Sequence, residues 1–316
     1  MKHTNKIACV VGPTACGKTT LGILLAQRFG GEIVSADSMQ IYKGMTIGTA
    51  APTAEERALV PHHMVGVADP REAYSAARFV EEASACVDDI LARGKVPIVV
   101  GGTGLYLDAL VAGRSFAAGG SETQSRQRLR ERLAREGIEP LYRELSAIDP
   151  AAAARLHLRD ERRILRALEI YYETGQTITE HDAQSKLLPP RYDAAYIGLT
   201  FEDRADLRTL IDERVDAMLA QGLADEVRAL LANGVPPSST ALQAIGYKEL
   251  LSALRGERSF AEAVEEIKLR SRQYAKRQLT WLRRNKAIHW IFWKKERDFP
   301  RALQLSTEIL SAHGLG

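Results

Sequence analysis

The sequence predicts an α/β fold in which a P-loop parallel sheet is covered by helices and interrupted by an inserted all-helical lobe. Short apolar runs alternate with helical patterns, a glycine-rich loop follows the first run, and one internal stretch lacks strand signals. The apolar runs are Ile7 to Val11, Ile33 to Ala36, Val96 to Val100, Ala195 to Leu199 and Ile288 to Phe292. Such alternation is typical of a sheet buried on both faces.

The first run leads into a loop that fits the pattern G-x-x-x-x-G-K-[ST]. Its residues are Gly12, Pro13, Thr14, Ala15, Cys16, Gly17, Lys18 and Thr19. A helix is predicted over Thr19 to Phe29, so the backbone N–H groups of residues 14 to 19 and the helix N-terminus are expected to face a diphosphate. Lys18 supplies a mobile charge, and the Thr19 hydroxyl is a candidate Mg²⁺ ligand. The pattern predicts a diphosphate with Mg²⁺ and does not specify ATP.

Polar residues follow the second and third apolar runs, at the strand ends where open parallel sheets collect ligands. Asp37 comes after the second run and Thr103 after the third, with glycines at 101, 102 and 104 that permit close backbone approach. Asp37 is a candidate general base or a water-mediated Mg²⁺ ligand, and a turn-capping role stays open. Between these clusters, apolar spacing predicts a helix over Ala77 to Leu91.

The stretch from about Ser121 to Pro190 is predicted to be the helical lobe. An Ala-Ala-Gly-Gly run at residues 117–120 leads into it, and Pro189-Pro190 ends it. We therefore expect residues 1–120 and 191–316 to form the P-loop core with its C-terminal helices. Residues 121–190 are expected to form the lobe.

Composition excludes several classes of protein. The chain has 316 residues with 45% hydrophobic composition, enough for one large core with a lobe. The apolar stretch before Gly12 is too short for a signal peptide, and no run approaches membrane-spanning length, so a cytoplasmic protein is expected. Cys9, Cys16 and Cys86 form no C-x-x-C pair. Neither a disulfide framework nor a zinc site is therefore expected.

Positive charge is modest overall, with a net charge of +3, but it is concentrated in three stretches. The clusters are Arg126, Arg128, Arg130, Arg132 and Arg135; Arg155, Arg159, Arg162, Arg163 and Arg166; and Lys268, Arg270, Arg272, Lys276, Arg277, Arg283, Arg284 and Lys286. The third cluster lies on a helix predicted over residues 265–286. There Arg270, Arg277 and Arg284 share one face, called here the arginine stripe. Three such clusters favour a polyanionic partner.

Several strings of the sequence resemble the tRNA dimethylallyltransferase family, also called tRNA isopentenyltransferase. They include residues 12–19 (GPTACGKT), 35–42 (SADSMQIY), 45–50 (MTIGTA), 101–106 (GGTGLY), 166–169 (RALE), 244–249 (AIGYKE) and 274–281 (YAKRQLTW). The likeness extends from about residue 7 to 293, nearly the whole chain. It is to the short bacterial form, because no zinc-finger spacing follows.

The resemblance implies that dimethylallyl diphosphate occupies the loop and that its five-carbon group moves to N6 of the adenosine 3′ to the anticodon. Asp37 would accept the N6 proton, and Thr103 would hydrogen-bond near the bridging diphosphate oxygen. Lys18, the loop and Mg²⁺ would stabilise the leaving diphosphate. Contacts to the tRNA anticodon stem-loop are implied for Asp37, Ser38, Met39, Gln40, Thr103, Arg126, Arg162, Arg163, Ile164, Leu165, Arg166, Gln243, Ala244, Ile245, Gly246, Tyr247 and Lys248. A monomer suffices for this activity.

Three positions depart from the family pattern. Cys16 stands where serine is usual, Gly66 where aspartate is common, and Leu210 where arginine is frequent. The last leaves Arg214 as the candidate phosphate contact in that helix.

Three other functions stay open. A small-molecule P-loop kinase would leave the basic helix unexplained. A nonenzymatic RNA-binding module would leave the intact Lys18, Thr19 and Asp37 unexplained. An adenylate isopentenyltransferase acting on free nucleotides would need no large lobe.

Overall fold

Six parallel strands form one sheet in the described part of the chain. The structure, a computed structural model, describes residues 5–114 and 123–315. The strands are β1 (Lys6–Val11), β2 (Glu32–Ala36), β3 (His62–His63), β4 (Pro97–Gly101), β5 (Asp193–Phe201) and β6 (Ile288–Trp293). Their spatial order is β3-β2-β4-β1-β5-β6, and every neighbouring pair is parallel. The α/β prediction is therefore confirmed.

Strand β1 lies at the centre of the sheet, where Cys9 pairs with Val99 of β4 on one side and Tyr196 of β5 on the other. Its side chains alternate between two hydrophobic cores, with Ala8 and Val10 in one and Cys9 in the other. This alternation follows from the two-residue period of a strand. Because both faces are buried, the run is apolar throughout.

The helices, in chain order, cover the sheet or build the lobe. They are α1 (Lys18–Phe29), α2 (Ala54–Leu59), α3 (Ala76–Ala92), α4 (Gly104–Ala112), α5 (Gln124–Glu136), α6 (Ile138–Ile148), α7 (Pro150–Ala153), α8 (Glu161–Thr174), α9 (Ile178–Leu187), α10 (Arg204–Ala220), α11 (Leu223–Ala232), α12 (Tyr247–Leu254), α13 (Phe260–Leu282) and α14 (Phe299–Ala312). A short 3₁₀ turn, Ala241–Gln243, precedes α12. None of the helices in the described ranges is both long and apolar enough to cross a membrane.

The chain divides into two compact units. Residues 1–111 and 191–316 form one, called here the sheet unit, and residues 112–190 form the other, called here the lobe. The lobe's own core contains Leu129, Leu141 and Leu168. The predicted lead-in at 117–120 and the predicted lobe start at Ser121 lie outside the described residues.

The edge strand β3, which sequence patterns did not predict, adjoins a buried carboxylate. Glu32 of β2 is 2% exposed. It pairs with Arg93 and Lys95 at 2.5 and 2.7 Å, and His63 Nε2 lies 2.8 Å from its Oε2. The hydrogen bonds from Arg93 hold the pKa of Glu32 well below its usual range, because they outweigh the opposing effect of burial. This cluster ties β3 and the end of α3 to β2.

Candidate active site

A cavity of about 1260 Å³ opens in the sheet unit where β1, β2 and β4 end. It is lined by the loop after β1, by residues 37–40 after β2, and by Val100 and Gly101 of β4. The segment 46–54, residues 243–246, Arg297 and parts of α10 and α13 also line it. Asp37, Lys18 and Thr19, predicted as site residues from separate segments, therefore line one cavity.

The loop of residues 12–19, called here the cradle, is shaped by its small residues. Gly12 has φ 154°, and a Cβ there would lie 2.4 Å from the Leu199 carbonyl oxygen and 2.8 Å from Cys16 Sγ. Gly17, at φ 86°, is the N-cap of α1 and offers no side-chain cap. The first N–H groups of α1 therefore have no capping side chain, which suits them to an anion. Cys16 Sγ lies 2.9 Å from the Pro13 carbonyl oxygen, and burial raises the pKa of its thiol.

One predicted cradle donor is already occupied. The Thr14 N–H donates to Oε1 of Gln278 at 2.9 Å, so this group is engaged within the protein, and its contact to a ligand stays a prediction. The same amide donates from Nε2 to the Gly102 carbonyl oxygen at 3.1 Å. Gln278 is 5% exposed and joins the cradle to the loop that carries Thr103. The N–H groups of residues 15 to 19 stay candidates for the diphosphate.

Positive side chains gather at the cradle. Lys18 Nζ donates to the Pro13 carbonyl oxygen at 2.7 Å, and burial together with nearby Arg214 lowers its pKa, against the opposing effects of Cys16 and Asp37. Burial also lowers the pKa of Arg214. Arg297, from the segment before α14, lines the same cavity. No carboxylate forms an ion pair with Lys18, Arg214 or Arg297 within the residues described. An anion entering the cavity would therefore meet positive side chains that no carboxylate holds in an ion pair.

Asp37 and Thr103 lie on adjoining turns at the strand ends. Asp37 Oδ1 accepts hydrogen bonds from the Met39 N–H at 2.9 Å and the Gln40 N–H at 3.4 Å, so it caps its own turn. Thr103 Oγ1 accepts from the Ser38 N–H at 3.2 Å. Asp37 therefore caps the turn through Oδ1, and its second oxygen, Oδ2, can take part in chemistry. The predicted pair of functional side chains is brought together by Ser38.

The donor set suits Mg²⁺ only in company with a ligand's own oxygens. Within the described residues, no cluster of three His, Cys, Asp or Glu side chains could hold a metal. Thr19 and Asp37 nevertheless line one cavity, and the Thr19 hydroxyl makes no hydrogen bond to other described residues. Mg²⁺ is commonly held by one or two protein oxygens, waters and substrate phosphates. These residues fit that kind of site and not a cage of protein ligands.

The segment 46–50, which lines the cavity, is held from two sides. Gln40 Nε2 donates to the carbonyl oxygens of Thr49 and Ala50 at 3.3 and 3.1 Å, so its amide is engaged within the protein. From α11, the Glu226 carboxylate accepts from Thr46, Ile47 and Gly48. Sequence reasoning assigned no role to Glu226, because nothing local marks its partners 178 to 180 residues away.

Two predicted tRNA-contacting side chains are buried. Tyr247 is 0% exposed and donates to Glu226 Oε1 at 2.5 Å. In the lobe, Ile164 is also 0% exposed and packs in the lobe core. Both side chains therefore pack in the interior, and the contact of these two residues to RNA stays a prediction. Residues 243–246 line the cavity, and Lys248 is exposed.

Two of the predicted RNA contacts in the lobe pair with a buried carboxylate. Glu169 is 2% exposed and Oε2 accepts from Arg126 and Arg166, each at 2.9 Å. Arg162 and Arg163 are exposed, whereas Leu165 is half-buried. Arg126 and Arg166 are thus held in place from within the lobe, and Arg162 and Arg163 project to its surface.

Two sets of basic residues on and next to α13 differ in their surroundings. The arginine stripe is exposed, Arg270 within it pairs with Glu266 of the same helix at 2.6 Å, and Arg277 also lines the cavity. Lys268 and Arg272, called here the inner pair, instead bind Asp216 and Asp212 of α10 at 2.7 and 2.6 Å. The helix spans Phe260–Leu282, so it begins and ends earlier than predicted, and Arg284 lies beyond it.

Known proteins of one kind match this chain over nearly its full length. A family model described as IPP transferase matches residues 40–285, and one described as isopentenyl transferase matches residues 5–60. The chain is 48% identical over 289 residues to a tRNA dimethylallyltransferase of Geobacillus thermodenitrificans, covering 91% of this chain and 90% of the relative. A tRNA dimethylallyltransferase of Geobacter metallireducens is 47% identical over 300 residues, covering 94% and 96%.

Solved structures agree. The tRNA isopentenylpyrophosphate transferase of Bacillus halodurans has a TM-score of 0.72 and 38% identity, covering 98% of both chains. A eukaryotic dimethylallyltransferase acting on tRNA has a TM-score of 0.83 and 32% identity, covering 97% of this chain and 80% of the other.

Proposed function

This chain belongs to the tRNA dimethylallyltransferase family, and we propose that it transfers the dimethylallyl group of dimethylallyl diphosphate to N6 of the adenosine 3′ to the anticodon in tRNA. The products are N6-dimethylallyladenosine and diphosphate. One observation carries the assignment of chemistry to this site: Asp37 shares a cavity with Lys18 and Arg214 and acts on both through space, without an ion pair among the described residues. A base thus lies beside a place for an anionic leaving group.

The cradle is proposed to bind and stabilise the leaving diphosphate. Adenine N6 is a poor nucleophile because its lone pair is delocalised into the ring. The bond between the allylic carbon and the diphosphate oxygen must therefore lengthen early, and negative charge develops on that oxygen. Lys18, Arg214 and the N–H groups of residues 15 to 19 would meet this charge. Thr103 would donate its hydroxyl hydrogen near the bridging oxygen.

Asp37 is proposed to accept the proton that N6 releases as the new carbon–nitrogen bond forms. Its Oδ1 is engaged by the turn N–H groups, which leaves Oδ2 for the base role. The turn thus orients the carboxylate through one oxygen and leaves the other able to accept a proton. General base catalysis by a positioned carboxylate contributes about 10² to 10⁴ in rate.

The tRNA is proposed to present the adenosine unstacked. An anticodon-loop base must leave its stack to reach a cavity, which costs a few kcal/mol and is repaid by contacts to the flipped base. Ser38, Met39 and residues 243–246 line the cavity and are proposed to contact it. Lys248, the arginine stripe and the exposed arginines of the lobe would contact the anticodon stem-loop.

Thr19 is proposed to hold Mg²⁺ together with diphosphate oxygens, with Asp37 acting through water. When bound, the ion would neutralise charge on the diphosphate. A cytoplasmic location and a monomeric state stay predictions.

The test is a transfer assay with radiolabelled dimethylallyl diphosphate and three acceptors: unmodified tRNA, AMP or none. Label is expected on tRNA alone, and nuclease digestion should release it as N6-dimethylallyladenosine. Label on AMP would instead favour an adenylate isopentenyltransferase. ATP hydrolysis without tRNA would favour the kinase alternative.

Lys18→Ala tests the proposed role of the cradle. We expect it to abolish transfer because the lost charge assists the leaving group. Binding of tRNA should stay within several-fold of the wild-type value. Normal transfer by a folded Lys18→Ala protein would contradict the assignment of the diphosphate to the cradle.

A further inference from the structure

The segment between β6 and α14 is fastened to the cradle at both its ends. Trp293 Nε1 donates to the Cys16 carbonyl oxygen at 2.8 Å. Phe299 packs against Gly17, where an added Cβ would lie 2.9 Å from Phe299 Cζ. The two rings also contact each other edge to face at 5.4 Å. Arg297, between them, is thereby held at the cradle.

Arg297 has hydrogen-bond donors left to bind a ligand at this position. Its Nη2 donates to the Ala15 carbonyl oxygen at 2.7 Å. A guanidinium carries five N–H donors, so most are left for another acceptor. The neighbouring Asp298 accepts from the Arg301 N–H at 3.0 Å and caps α14. Arg297 makes no ion pair with a carboxylate in the described ranges.

We propose that Arg297 is a substrate-binding residue that contacts the diphosphate in the cradle, together with Arg214. This rests on the proposed function for the identity of the anion. Planar guanidinium groups bind phosphate oxygens through paired N–H donors, which a lysine cannot reproduce. Arg297 lines the cavity that Lys18 and Arg214 also line, and the two arginines come from segments far apart in the chain.

The competing explanation is that Arg297 only fastens the Ala15 carbonyl. Arg297→Gln removes the charge, but its amide nitrogen does not reach as far as Nη2, so restoring the charge from a second position separates the two explanations. Lys294 and Lys295 are exposed neighbours in the same segment, so Lys294→Gln and Lys295→Gln are matched controls for the loss of one positive charge.

The first measurement is the Kd of the full-length protein for inorganic pyrophosphate with Mg²⁺, by calorimetry. A charged hydrogen bond to an anion is worth enough that Arg297→Gln should weaken binding by about tenfold to a hundredfold. The two lysine variants should stay within about twofold. An unchanged Kd in a folded Arg297→Gln protein would overturn the proposal and leave Arg297 as a fastener.

A second variant tests whether positive charge is the missing element. Leu210 lines the same cavity one helical turn before Arg214 on α10. Leu210→Arg, added to Arg297→Gln, should recover at least part of the lost pyrophosphate affinity. A double variant that folds normally and binds no better than Arg297→Gln would count against the proposal.

Steady-state kinetics then separate this inference from the proposed function. Arg297→Gln should raise the KM for dimethylallyl diphosphate by about tenfold or more and leave the KM for tRNA unchanged. If wild-type protein bound pyrophosphate but transferred nothing to tRNA, the proposed function would fail. The pyrophosphate affinities of the variants would still decide the role of Arg297.

Discussion

Replacing Glu226 by Ala is expected to destabilise the sheet unit and to slow transfer. The carboxylate holds the segment 46–50, with Oε2 accepting from Thr46 N, Thr46 Oγ1 and Ile47 N at 2.8, 2.8 and 2.9 Å. Oε1 accepts from Gly48 N at 3.2 Å and from the Tyr247 hydroxyl at 2.5 Å. One side chain thus satisfies five donors.

The size of the effect depends on which donors water can reach. Thr46 is exposed, so its groups would be hydrated and contribute little. The Tyr247 hydroxyl is buried, and leaving a buried donor unsatisfied costs about 1–3 kcal/mol. With a smaller loss at Ile47 and Gly48, the free energy of unfolding should fall by about 2–4 kcal/mol. At roughly 2–4 °C per kcal/mol for a unit of this size, Tm should fall by roughly 4–16 °C.

The assay pairs thermal and urea unfolding with single-turnover transfer. Because the segment 46–50 lines the cavity, transfer should slow as the segment loosens. Asp225→Ala is the matched control, since Asp225 is exposed on the same helix and pairs only locally with Arg228 in the described structure. Glu226→Gln should fall between the two, because an amide has one acceptor oxygen and not two. Equal stability losses in Glu226→Ala and Asp225→Ala would refute this reasoning.

Three further outcomes are expected. Asp37→Asn, which keeps an oxygen to cap its turn, should lower single-turnover transfer by about 10² or more while tRNA affinity stays within several-fold; near-normal rates would exclude the base role. Alanine at all of the arginine stripe should flatten the slope of log tRNA affinity against log salt by about two units. Alanine at both residues of the inner pair should instead lower Tm with little change in that slope, and the reverse would exchange the two roles. Glu32→Gln should lower Tm at pH 7. Because the folded-state pKa of Glu32 is depressed, its stabilisation is present above about pH 4.5 and is lost as pH falls further, so the difference in Tm should shrink in acid.

The sheet and the cradle were accessible to sequence reasoning because their signals are local. Each of the five predicted strands is a mainly apolar run that is largely buried, except in β6, where His289 and Phe292 are exposed. The cradle has a fixed spacing of glycines, lysine and threonine. Strand β3 escaped because two histidines at an edge make no apolar run. The end of α13 was misplaced because basic residues continue past Leu282 in helical spacing.

The positioning contacts of the site could not be predicted, since their partners are distant in sequence. Gln278 meets Thr14 across 264 residues, and Arg297 meets Ala15 across 282. Periodicity identifies which face of α13 is basic, but it does not say that α10 brings Asp212 and Asp216 to the inner pair. Only the packing of helices on the sheet decides which charges meet an acid and which face solvent.

The contact between Cys16 and Trp293 has a consequence for synthesis on the ribosome. The two residues are 277 apart. At about 5–20 residues per second, Trp293 is therefore translated roughly 15–55 seconds after Cys16. The lobe's core draws on residues between Leu129 and Ile178 and emerges well before β6. Between the synthesis of β5 and that of β6, the nascent chain has an unpaired sheet edge at β5. Nascent chains of this protein are therefore expected to engage chaperones at β5 and to gain activity only after residue 299 has left the exit tunnel.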